Sequence, residues 1–259
     1  MAFARALVLT ALLGAMGSAQ AGLVASDNLN TATVGSLSGQ AGGQGWASAW
    51  SGSSSVSVVS GSSGQALRFG GADNTSAASR TLGSTISANR VLVDFTLQFS
   101  SGAIDNNDFV ALWFGNSTGP NIGVKGNCDG LTGCNGADLF VRTSGSSGSF
   151  STAMTVGTTY HLFALLEKAG GASSYNRYSL WVNPTADEMS SLSGADAVFN
   201  GSSGLSSFSA LGFRTANLDA GDAVLVDDLN ITELPEPASF ALAGAALLGL
   251  AAARRRKAR

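Results

Sequence analysis

The chain is poor in charge, histidine, cysteine and proline: 12% of its 259 residues are charged, with one histidine, two cysteines and four prolines. The lone histidine, His161, has no signature of a serine or cysteine triad around it and reads as an ordinary strand residue. Two thiols without a nearby histidine fall short of the four ligands of a structural zinc site. A retaining glycoside hydrolase needs two carboxylates about 5 Å apart, presented from alternate positions of one strand. Between residues 22 and 232 the only glutamates are Glu167 and Glu188, and neither has an acidic residue two positions away. No catalytic residue is therefore assigned, and the chain is expected not to be an enzyme. The same segment holds eight basic and fifteen acidic residues, so the overall charge of -3 hides a body near -7. With no basic patch legible, nucleic acid is not an expected partner.

What is present is glycine, serine and short apolar runs. An apolar content of 44% separates the chain from disordered composition. Val91, Val93, Phe95, Leu97 and Phe99 alternate with Asp94, Thr96, Gln98 and Ser100, which predicts a half-buried strand. Shorter runs at Val56–Val59, Ala66–Phe69, Phe109–Phe114, Asn121–Val124, Leu139–Arg142, Tyr178–Val182, Phe208–Phe213 and Val224–Ile231 are separated by turn-forming residues. Tyr160–Lys168 reads as a strand buried on both faces, and Ala186–Leu192 as a helical turn started by Pro184. The pattern predicts an all-β sandwich or jelly roll. Trp46, Trp50, Trp113 and Trp181 could stack on sugar, but aromatics in strand patterns more often fill a core.

The ends follow a different logic. Arg5, an apolar run from Ala6 to Met16 and the small residues of Ala19-Gln20-Ala21 predict a signal peptide, cut by signal peptidase after Ala21. Export implies an oxidising compartment, so Cys128 and Cys134, close in sequence, are expected to form a disulfide. At the other end Pro235-Glu236-Pro237 precedes an apolar stretch from Ala238 to Ala253, and then Arg254-Arg255-Arg256-Lys257-Ala258-Arg259. A helix over that stretch would be about 24 Å long, short of a hydrocarbon core of roughly 30 Å. The basic cluster would hold its end in the cytoplasm and everything before Pro235 outside.

Pro235, Glu236 and Pro237, the short apolar stretch and the arginines together resemble the PEP-CTERM sorting signal, over residues 233–259. The resemblance implies processing by an exosortase, transient membrane insertion through the tail helix, and a Gram-negative envelope or extracellular matrix as destination, often with an exopolysaccharide. Gly45-Trp46, Trp50, Leu180-Trp181-Val182-Asn183-Pro184 and Val226-Asp227-Asp228-Leu229 resemble concanavalin-like (LamG-like) jelly-roll domains. That fold hosts lectins, hydrolases and inert adhesive modules alike. It also implies that Asp105, Asn107, Asp219 and Asp222, in oxygen-rich loops beside strands, are weak calcium candidates, with plain turn chemistry as the alternative. The expected organisation is a signal peptide (1–21), a β-sandwich (22–232) and a sorting signal (233–259). The expected role is a non-catalytic matrix protein, with a carbohydrate-binding module as the alternative and a glycoside hydrolase less favoured.

Overall fold

The structure, a computed structural model, describes residues 21–61, 64–70, 76–128, 133–144 and 147–235. The expected signal peptide up to Ala19 and Gln20, and the tail from Glu236 through Arg254, Arg255 and Arg256, lie outside the described residues.

Period-two alternation and turn chemistry give the chain its strands. The first half holds β1 (Gly22–Asp27), β2 (Gly35–Ser36), β3 (Ser51–Gly52), β4 (Val56–Ser60), β5 (Gln65–Gly70), β6 (Ser76–Ile86), β7 (Arg90–Ser101) and β8 (Phe109–Phe114). The second half holds β9 (Asn121–Lys125), β10 (Asp138–Ser144), β11 (Ser147–Ala153), β12 (Thr159–Glu167) and β13 (Arg177–Val182). A short helix α1 (Ala186–Ser191) precedes β14 (Ala197–Asn200), β15 (Phe208–Ala216) and β16 (Ala223–Glu233).

Among the described residues these strands form two antiparallel sheets. The larger has nine strands in the order β14-β13-β12-β7-β16-β5-β4-β2, with β1 also paired to β16. The smaller has seven, in the order β11-β10-β9-β8-β15-β6-β3. Val91, Val93, Phe95, Leu97 and Phe99 of β7 are buried in one core cluster with Val110, Leu112 and Phe114 of β8 and Leu211 and Phe213 of β15. The ring of Phe213 meets Phe69 and Phe95 of the other sheet at 5.3 and 6.0 Å between centroids. Each such side chain contributes about 1.5–3 kcal/mol by leaving water, which makes this inter-sheet layer the main support of the fold.

β12 is buried on both faces, as its composition predicts. Tyr160, Leu162, Ala164 and Leu166 enter the core, while Phe163 and Leu165 on the other face are 6% and 4% exposed. Phe163 lies across from Trp181 in β13, with ring centroids 5.7 Å apart. The Trp181 indole donates to Ser193 O at 2.7 Å, just past α1. That helix is started by Thr185 rather than Pro184: its hydroxyl accepts from Glu188 N at 3.2 Å, and Glu188 Oε2 accepts from Thr185 N at 2.8 Å.

Six strands carry no alternation that the sequence revealed, namely β1, β2, β3, β6, β11 and β14. β6 reads Ser-Ala-Ala-Ser-Arg-Thr-Leu-Gly-Ser-Thr-Ile, too small and polar to announce itself, yet it pairs with β15 on one side and with the short edge strand β3 on the other. Cys128 and Cys134 are joined as a disulfide with Cα atoms 5.7 Å apart, and Cys128 N donates to Gly136 O at 3.0 Å. The bond closes the loop that leads from β9 to β10.

Candidate functional site

The face of the larger sheet that turns away from the core carries the polar half of the β7 alternation. Register fixes its neighbours: Thr96 of β7 lies between His161 of β12 and Asp227 of β16, and Gln98 lies between Thr159 and Leu225. A pocket of about 90 Å³ opens here, lined by Thr96, Gln98, Thr159, Leu225, Asp227 and Asp228 together with Gly61 and Ala66. The β16 ladder slips between Asp227 and Asn230, and Asp228 takes a left-handed φ of 56° in that bulge. The bulge pushes the Asp228 side chain into solvent beside Asp227.

Its electrostatics are not those of a plain surface. His161 Nε2 meets Asp94 Oδ1 in a short ion pair, both side chains about one-third exposed. The hydrogen bond to Asp94 raises the His161 pKa above its usual 6.5, against the pull of burial, with the Asp94 and Asp228 charges adding. Burial pushes the Asp227 carboxyl up to about 6; a hydrogen bond from Asp228 N works against this, while the Asp228 and Asp27 charges add to it. Thr96 Oγ1 donates to Asp227 O at 3.3 Å, and Gln98 Nε2 donates to Gly157 O at 2.8 Å. The result is a half-buried row of hydroxyl, amide and carboxylate groups, suited to a hydroxyl-rich ligand.

The two glutamates are committed elsewhere. Glu167 is paired with Arg90 at 3.1 Å and lies 3.9 Å from Arg177, and Glu188 caps α1. Trp50, Trp113 and Trp181 are 2%, 5% and 1% exposed, so they fill the fold rather than form a sugar platform. Trp46 is half-buried and donates to Ser26 O at 3.0 Å.

The two oxygen-rich loops do come together. Asn106 Nδ2 donates to Asp219 Oδ2 at 3.1 Å, and Asn217 Nδ2 donates to Asn107 O at 3.1 Å. Each loop also satisfies its own backbone: Asp105 N donates to Asp108 Oδ2 at 2.8 Å, and Asp219 N to Asp222 Oδ2 at 2.6 Å. This is turn chemistry. Among the described residues no three or more His, Cys, Asp or Glu side chains are grouped to hold a metal ion. Asp108, which the sequence did not single out as a candidate, is fully buried, and its Oδ1 has no hydrogen-bond partner. Burial drives its pKa up to about 6 against the hydrogen bond from Asp105, with the charges of Asp222, Asp105 and Asp219 adding.

Of the sorting residues, Pro235 is the last one described, and Ala21 is exposed at the other end. Among the described residues no helix is long and apolar enough to cross a membrane. The expected tail helix lies outside them.

Comparison with known proteins identifies the tail and the fold. Residues 233–257 match the PEP-CTERM protein-sorting motif, which marks the chain for exosortase processing, export and envelope association. No curated protein matches the chain by sequence. Among solved structures, the binding domain of botulinum neurotoxin DC in complex with SialylT superposes with a TM-score of 0.53 at 9% identity, covering 83% of this chain and 48% of that one. The Emp47p carbohydrate recognition domain gives 0.52 at 9% identity, over 83% of this chain and 98% of that one. The botulinum neurotoxin type G receptor binding domain gives 0.50 at 11% identity, over 84% and 49%. The chain thus spans about half the length of the neurotoxin domains it resembles. At such identities the likeness is one of fold: the body is a concanavalin-like jelly roll.

Proposed function

We propose that the chain is a non-catalytic envelope protein of a Gram-negative bacterium, trimmed at both ends and left in an exopolysaccharide matrix, where its sandwich holds a hydroxyl-rich glycan. The observation that carries the reading is the PEP-CTERM motif at residues 233–257, which begins on the last residue of β16. Signal peptidase cuts after Ala21. The tail helix then holds the chain in the membrane, with Arg254, Arg255 and Arg256 inside, while an exosortase takes Pro235-Glu236-Pro237 at the outer surface.

The glycan contact belongs to the face around Thr96, Gln98 and Asp227, which are half-buried, and the exposed Thr159, all fixed by register. A non-catalytic role is favoured because both glutamates serve the fold and Asp94 is engaged with His161. The oxygen-rich loops with Asp105, Asn107, Asp219 and Asp222 serve as turns.

Two measurements test this. Intact mass of protein from a host with the sorting enzyme should give a chain from Gly22 to near Pro235, apart from any added glycan or lipid; a C-terminus at Arg259 in that host's membranes would show a plain tail anchor. On a glycan array the protein should bind saturably and lose that binding on Asp227→Asn. A blank array removes the glycan from the account, and sugar release lost on Asp227→Asn would make the protein an enzyme.

A further inference from the structure

The smaller sheet also has a face turned away from the core, and its composition runs against the rest of the molecule. Lys125 of β9, Arg142 of β10 and Arg214 of β15 all project there, three of the eight basic residues between 22 and 232. No run of basic residues in the sequence announces them, because they come from three strands. The row Phe140, Gly123, Ala111, Arg214 crosses the sheet from β10 to β15. Its middle is low, since a Cβ at Gly123 would lie 2.0 Å from Val110 O and 2.6 Å from Ala111 Cα, so no side chain can stand there.

Both guanidiniums lean over that low floor toward one ring. The Arg142 guanidinium lies 4.7 Å and the Arg214 guanidinium 5.7 Å from the centroid of Phe109, and Arg142 also lies 4.9 Å from Phe140. Phe109, Ala111 and Phe140 form a small buried cluster of their own, with Phe150 against it. Arg142 Nε donates to Asn121 Oδ1 at 2.8 Å, and Lys125 Nζ donates to Asn107 Oδ1 at 3.2 Å. Both partners are neutral. None of the ion pairs among the described residues involves Lys125, Arg142 or Arg214.

Like charges gathered together cost energy, and here each is felt by the next; the buried Asp138 lies across from Lys125 on the same face, but no ion pair among the described residues joins the two. Burial and the Arg214 charge lower Arg142 to about 10, and burial and the Arg142 charge lower Lys125. A protein whose body is near -7 has ample carboxylates to neutralise such a cluster, yet the described residues bring none into an ion pair with it.

We propose that this face binds an acidic polysaccharide, a chain of uronate sugars whose carboxylates are taken by Arg142, Arg214 and Lys125. The guanidiniums, set over the rings beneath, offer the planar fork that carboxylates fit. Three cations suit a sparsely charged polymer; a densely charged nucleic acid would meet the repulsion of the acidic body. This site is separate from the polar face of the larger sheet and stands whether or not that face binds a neutral glycan.

The test is calorimetric titration of the full-length protein with polygalacturonate fragments at low and moderate salt. Arms with the fully methyl-esterified polymer, single-stranded DNA and vesicles containing anionic lipid distinguish a uronate from other anions. Binding should be saturable with the free acid, weaken as salt rises and vanish on esterification. The double variant Arg142→Gln/Arg214→Gln should weaken it at least about tenfold, the scale of one or two lost charge-assisted hydrogen bonds. Arg142→Lys/Arg214→Lys, which keeps the charge, should retain part of the affinity, and Lys168→Gln, which removes one positive charge elsewhere, should retain all of it. Far-ultraviolet dichroism confirms that each variant is folded. Absence of binding, equal binding to the esterified polymer, DNA or vesicles, or an unchanged affinity in the folded glutamine variant would overturn the assignment.

Discussion

Arg80 and Asp27 form an ion pair inside the sandwich, with their side chains 3% and 2% exposed. The carboxylate also accepts from Trp50 Nε1 at 2.8 Å and from Leu29 N at 2.9 Å, and the guanidinium stands 4.7 Å from the Trp46 ring. The pair ties β1 to β6, neither of which has an obvious hydrophobic pattern. Asp27→Ala would leave a buried cation alone and should cost about 3–5 kcal/mol, read from urea unfolding. Replacing both residues, as Asp27→Leu with Arg80→Met, should cost much less than Asp27→Ala does. A single variant no more harmful than the double would show that the charges act independently.

His161 is the one histidine of the chain, so its proton resonance titrates without overlap. The pair with Asp94 should place its midpoint above the usual 6.5. Because the folded value is raised, the stabilisation is full below the unfolded pKa and is lost as pH rises through the folded one. Asp94→Asn removes the charged acceptor, and burial should then bring the midpoint to or below 6.5. An unchanged midpoint in that variant would break the link.

Asp108 and Asp227 both hold protons more tightly folded than unfolded, with values pushed up to about 6. Stability should therefore fall as pH rises from about 4 to 6, as the unfolded chain releases these protons first. For the fully buried Asp108 the loss is on the order of 2 kcal/mol. Asp108→Asn keeps an acceptor for Asp105 N and should flatten this slope, measured by melting temperature against pH. A slope as steep as in the parent would exclude Asp108 as its source.

Folded protein should show no reactive thiol without reductant, because Cys128 and Cys134 are bonded. A ring this short contributes about 2 kcal/mol on the chain-entropy argument. Reduction should thus lower the denaturation midpoint modestly and leave the far-ultraviolet dichroism unchanged. Labelling of both positions in the native, unreduced protein would refute the bond.

How much of this was legible depends on the strand. β7 announced its register because its core positions are Val, Val, Phe, Leu and Phe, and its polar positions became the candidate face. β6 and β11, built mostly from Ser, Ala, Gly and Thr, are held by neighbours rather than by their own pattern, and no periodicity exposes such strands. The sites were harder still. His161 lies 67 residues from Asp94, and the cations of β9, β10 and β15 become neighbours only through pairing. Asp105 and Asp219 were legible as turn formers, but the burial of Asp108 beside them was not, since an Asp at a loop end looks the same whether wet or dry.

The place of β16 has a consequence for the order of events during export. It is the last strand in the chain, yet it lies between β7 and β5 in the larger sheet and pairs with β1 as well. Until residue 233 has emerged from the secretion channel, β5 and β7 lack the strand that joins them, and the exposed edges need protection. The sheet therefore cannot close while the polypeptide is still being threaded outward. When it does close, only Leu234 separates the sealed strand from Pro235. The sorting motif therefore starts on the sheet itself, and the strand that carries its first residue is the one that completes the domain.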